Sequence, residues 1–166
     1  MHVLDAGRRA RGLRSLALAT GLLWITGCET EGEQLYEWAI HLEGTVDECN
    51  AEPQGKIYEY DYQLSFEGSS VDLSLEGNTF ASGQIAGCNI SYSSVVWGDE
   101  RDGYELRWQL TGEAVYRNGG SSCNLDDSTD WLGTETYEIL FSDHPDIEIG
   151  CQYIMSTQGS YKGPVE

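Results

Sequence analysis

Basic residues are scarce in this chain. Lys and Arg number 9 against 28 Asp and Glu, a formal net charge of -19 over 166 residues. A surface so acidic repels a phosphate backbone, which excludes nucleic acid as a partner. Proline is scarce too, with 3 residues against 20 Gly, so collagen-like and proline-rich compositions are excluded. His is limited to 3 residues. Of these, His41 falls on the polar face of a strand pattern and His144 precedes Pro145 in a turn. Neither has metal-ligand spacing or belongs to a triad signature. The sequence lacks GxSxG, P-loop, HExxH and GxGxxG motifs. Acidic pairs are so frequent that none marks a glycosidase dyad, and Glu135 and Glu138 fall on opposite faces of a strand. These absences argue against an enzyme and imply no cofactor. No segment of a dozen residues has helical periodicity, and no apolar run reaches the ~20 residues of a membrane span.

The few basic residues are concentrated at the start. Arg8, Arg9, Arg11 and Arg14 precede an uncharged run from Ser15 to Cys28. A basic stretch followed by a short apolar one is the pattern of a signal peptide. The run ends Ile25-Thr26-Gly27-Cys28. This resembles the lipobox of bacterial lipoproteins: an aliphatic residue, a small one, Gly or Ala, then Cys. The resemblance covers residues 1–28. It implies cleavage before Cys28 and attachment of a diacylglycerol to its thiol, often with a further acyl chain on the new amine. Two or three chains give stable anchoring where one is marginal. It also implies a bacterial cell-envelope location on the exported side of a membrane. Glu29 stands where Asp would favour the inner membrane, so the sequence does not assign inner or outer membrane.

Three parts follow: a signal peptide over 1–27, the lipidated Cys28 with a short acidic tether over 28–34, and one domain over 35–166. After cleavage the chain keeps 5 basic residues (9 less four Arg) and 27 acidic ones (28 less Asp5), a net charge of -22.

The domain reads as strands. Tyr58, Tyr60, Tyr62, Leu64 and Phe66 alternate with Glu59, Asp61, Gln63, Ser65 and Glu67. The same period-two pattern covers 36–42, 71–75 and 104–110, more loosely 79–86, 88–97 and 134–142, and lastly Ile147 to Met155. Turn residues separate them, with loops expected at Gly98–Gly103 and Asn118–Asp130. The sequence predicts an all-β domain, an antiparallel meander of about eight strands forming a barrel or a sandwich. A barrel would be lipocalin-like in architecture only. Glu37 precedes Trp38, and Tyr36 stands where that family has the Gly of its Gly-x-Trp, so no ligand role carries over. Gly83, Gly87 and Gly112 are expected at bends or bulges.

With Cys28 acylated, Cys49, Cys88, Cys123 and Cys151 remain, an even set that predicts two disulfides in an exported chain. In a meander, successive loops alternate between two ends. Cys49 and Cys151 then share one end, adjacent if the barrel closes and sets the last strand beside the first, and Cys88 and Cys123 share the other. Cys49–Cys151 and Cys88–Cys123 is the expected pairing among three possible.

Three candidate sites emerge. Asp126, Ser128 and Asp130 resemble the opening of a calcium loop, with oxygen ligands at positions 1, 3 and 5. Trp131 and Tyr137 then occupy the places of the turn Gly and the closing Glu, and a solvated acidic loop is the preferred reading. The cluster Asp99, Glu100 and Asp102 is a lesser cation candidate. Inward aromatics including Tyr58, Tyr60, Tyr62 and Trp108 suit either a filled core or a small-ligand cavity. The filled core is the preferred reading.

The sequence thus points to a membrane-anchored exported lipoprotein with a non-catalytic binding or envelope-structural β-domain. The alternatives are a carrier of a small apolar or aromatic ligand, and an enzyme of no assignable class. The membrane is the expected partner, and no protein or small-molecule partner is identified.

Overall fold

The computed structural model describes residues 34–50, 55–101, 103–120 and 123–166. The signal peptide, the lipobox with Cys28, and the tether up to Glu33 lie outside the described residues. Nine strands follow in chain order: β1 (Leu35–Asp47), β2 (Ile57–Glu67), β3 (Ser70–Leu75), β4 (Asn78–Ala86), β5 (Asn89–Ser94), β6 (Trp97–Arg101), β7 (Tyr104–Tyr116), β8 (Trp131–Ser142) and β9 (Gln152–Pro164).

All ladders are antiparallel. β1 to β5 pair in succession, β7 to β9 pair in succession, and β9 returns to β1. β5 and β6 lie end to end along β7, facing Thr111–Val115 and Tyr104–Trp108 respectively. They fill one position of the barrel, interrupted at Val95 and Val96. Eight positions therefore close on themselves, which settles the architecture as a barrel and leaves no open sheet edge along most of the wall. Register shifts at Gly44/Val46, Leu73/Ser74 and Arg107/Trp108 supply the bends that closure needs.

Two boundaries differ from the expectation. The segment Gly98–Gly103 is mostly strand, not loop, because Trp97 packs edge-on against Trp108 at 4.4 Å and carries β6 onto β7. The turn contracts to the positive-φ Gly103. The last strand starts at Gln152 rather than Ile147 and runs on to Pro164. Ile147 is buried beside Cys49, Cys151, Leu106 and Ile139, so its apolar character serves a turn that plugs the barrel end. Ile149 on the same turn is exposed.

The entry end of the barrel carries Leu35, the β2–β3 and β4–β5 turns and the long β7–β8 loop. The far end carries the β1–β2, β3–β4, β6–β7 and β8–β9 connections. Cys88–Cys123 closes the entry end and Cys49–Cys151 the far end, the pairing expected from the meander. The half nearer the entry end is solid. Trp38, Trp131, Leu64 and Leu73 are fully buried there. Both indole N–H groups are satisfied: Trp38 donates to the Arg117 carbonyl and Trp131 to Thr157 Oγ1, each at 3.0 Å. The main core cluster draws on residues from Tyr36 to Tyr161, and both disulfides lie within that span.

Candidate functional site

The far half of the barrel is hollow. A cavity of about 400 Å³ is lined by Tyr58, Tyr60 and Tyr62 from β2, by Trp97 and Asp99 from β6, and by Trp108 from β7. Tyr137 from β8 and Tyr153 and Met155 from β9 complete its far wall. Tyr58, Tyr60, Tyr62 and Trp108, which the alternation places on inner faces, thus meet in one space. Buried side chains pack the entry half, and at the far half the same inner-face aromatics line a cavity.

Strand length explains the hollow. The β3–β4 hairpin turns at Glu76-Gly77, where both residues have positive φ. Leu75 pairs with Tyr62, so the first residues of β2 run past the hairpin with β1 alone beside them. β6 likewise runs along β7 with no ladder to β4. The wall is low between Tyr58 and Tyr60 on one side and Trp97 and Asp99 on the other. Tyr60 is 43 % exposed at this opening. Its ring stacks on that of Tyr58 at 6.2 Å, and Lys56 Nζ lies 4.8 Å over the Tyr58 ring.

Behind the lining sits a buried carboxylate that sequence reasoning missed. Glu135 has no exposed surface. Its Oε1 accepts hydrogen bonds from the hydroxyls of Tyr62 (2.9 Å) and Tyr92 (2.8 Å), and its Oε2 from Tyr137 (2.8 Å). Burial raises its pKa above the usual carboxylate range, and the three hydroxyls oppose that rise. Burial, and then the Glu135 charge, push all three phenols well above their ordinary value. A signal for Glu135 existed: it shares its phase with Trp131, Tyr137 and Ile139 on one strand. A carboxylate on an apolar face is the informative anomaly.

One glycine makes this network possible. Gly112 pairs with Tyr92 on one side and with Glu135 on the other. A Cβ there would collide with the Tyr92 ring. The missing side chain lets the ring cross β7 and reach Glu135, so Gly112 marks a close approach rather than the bend expected of it.

The other candidates are placed as follows. Asp130 is committed to the protein itself: Oδ1 accepts from Arg117 Nε at 2.5 Å and Oδ2 from the Tyr161 amide at 3.1 Å. Arg117 also bonds the Asp126 carbonyl, and the Thr129 amide bonds the same oxygen. The loop is thus organised by a guanidinium, and Asp126 and Ser128 point to solvent. Among the described residues no cluster of three His, Cys, Asp or Glu is arranged to hold a metal ion. Asp99 faces the cavity mouth, Glu100 is exposed, and Asp102 lies outside the described residues. His41 lies 3.7 Å from Glu59 on the outer wall, and His144 packs edge-on against Tyr104 at 4.6 Å.

Comparison with protein-family models, with curated proteins and with solved structures finds no match for this chain.

Proposed function

We propose that the barrel is the non-catalytic ligand-binding domain of an exported, lipid-anchored protein of the bacterial cell envelope, and that its occupant is a small apolar or aromatic molecule. The observation that carries this reading is the aromatic-walled cavity. Its volume of about 400 Å³ falls in the range of small-molecule sites. A domain of this size built for rigidity alone would gain by filling that space, since cavities cost stability. Apolar walls with few polar groups suit binding and release. The Glu135 carboxylate is occupied by three phenol hydroxyls and sits behind the lining, which is a poor arrangement for a general base.

The anchor follows from the lipobox resemblance at Cys28. Leu35 enters the barrel at the end remote from the cavity.

The test uses the soluble barrel, residues 29–166, exported so that its disulfides form. N-phenyl-1-naphthylamine, a neutral probe that fluoresces in apolar surroundings, is expected to bind with micromolar affinity. Leu75→Trp, which puts bulk into the lining, is expected to abolish the signal. Absence of saturable binding by the native barrel, or equal binding by the variant, would overturn the reading.

A further inference from the structure

We infer that the cavity selects a protonated amine: an apolar or aromatic body carrying an ammonium group. This rests on the cavity being a ligand site, and three observations carry it further.

The first is the direction of the hydrogen bonds. A phenol has one proton to donate. Tyr62 and Tyr137 both line the cavity, and both donate that proton to Glu135. What their oxygens can offer a ligand is lone pairs. An N–H donor fits these two groups; a carboxylate or carbonyl meets acceptor against acceptor.

The second is charge. Asp99 belongs to the lining, Glu135 stands one side chain behind it, and among the described side chains the lining has no Lys or Arg. A negative potential in a space with little water attracts a cation more strongly than the exposed acidic surface does. It also expels an anion.

The third is the walls. Trp97 meets Trp108 at 4.4 Å, Trp108 meets Tyr137 at 5.5 Å, and Tyr137 meets Tyr153 at 6.3 Å. These rings can present the negative π faces that bind ammonium groups. The rim already does so for a cation of the chain itself, Lys56 over Tyr58. Lys56 is not part of the lining.

The experiment displaces N-phenyl-1-naphthylamine from the soluble barrel with three molecules of one shape: 3-phenylpropylamine, 3-phenylpropan-1-ol and 3-phenylpropanoate. Ionic strength is held near ~0.15 M to screen the outer surface. The amine is expected to compete about tenfold better than the alcohol, and the acid worse than both. Asp99→Asn and Glu135→Gln should each shrink the amine-to-alcohol ratio severalfold. Asp99 is exposed, so its variant keeps the test alive if Glu135→Gln fails to fold. Equal displacement by amine and alcohol, or a ratio that neither variant changes, would overturn the amine inference and leave the ligand-binding reading standing. A barrel that takes up neither the neutral probe nor the alcohol would overturn that reading itself.

Discussion

Glu135 and Gly112 show how single residues set the interior. Gly112 gives up a side chain so that Tyr92 can reach the carboxylate. Gly112→Ala is expected to push the Tyr92 ring away and cost about 1–3 kcal/mol by overpacking, with a buried hydroxyl left to find a new partner. Urea unfolding measures this, and a variant as stable as the native barrel would refute the close-approach account. Glu135 makes stability depend on pH, with a definite sign. Its folded-state pKa is raised, so between the ordinary Glu value and the raised one the native state binds more protons than the unfolded state. The stability it contributes is present at low pH and is lost as pH rises through the folded value. The groups facing it, Tyr62, Tyr92 and Tyr137, stay neutral in that range. Glu135→Gln should therefore gain on the native barrel as pH climbs from acid toward neutral. Parallel profiles of urea midpoint against pH would contradict this. The residue was legible in part: its phase on β8 puts it inside, but nothing local names three tyrosines from β2, β5 and β8 as its partners.

The elements were mostly visible in the sequence, and the errors share one cause. Alternation located β1, β2, β3 and β7 because each has apolar residues on one face and polar ones on the other. It failed at β6, where Gly98, Asp99 and Glu100 look like a turn, and at Ile147, whose apolar side chain fills a plug. In both places a distant partner decides: Trp108 holds Trp97, and the Cys49–Cys151 disulfide gathers Ile147. The disulfides differ in reach. Cys49–Cys151 spans 102 residues and Cys88–Cys123 spans 35. Loop-closure entropy alone makes the longer one worth about 1 kcal/mol more. Removing Cys49–Cys151 as a pair of Ser should also impair the cavity, since Cys49 is in its lining. Removing Cys88–Cys123 should lower the melting temperature and leave probe affinity intact. Loss of binding in the second variant and not in the first would invert the two ends of the barrel.

At the scale of the whole molecule, charge dominates. A net charge of -22 after removal of residues 1–27, from 5 basic and 27 acidic residues, favours solubility and strains the compact state through self-repulsion. Raising ionic strength from about 0.01 M to about 0.15 M should raise the melting temperature, because the screening length shrinks from ~30 Å to ~8 Å. A melting point that ignores salt would show the carboxylates to be paired locally. For the anchor, the intact mass of membrane-extracted protein is expected to show loss of residues 1–27 with acyl chains added, and Cys28→Ala to remain unprocessed. An unacylated native product would remove the membrane from the account. The sequence by itself determined most of the strands, the count near eight, the inward aromatics and which end of the meander each Cys occupies, because period two, turn chemistry and loop parity are local or follow from connectivity. The tertiary structure alone decided barrel against sandwich, solid half against hollow half, and the burial of Glu135. Those outcomes depend on register and relative strand length, through which a short β3–β4 hairpin far from Trp97 in the chain opens the space beside it.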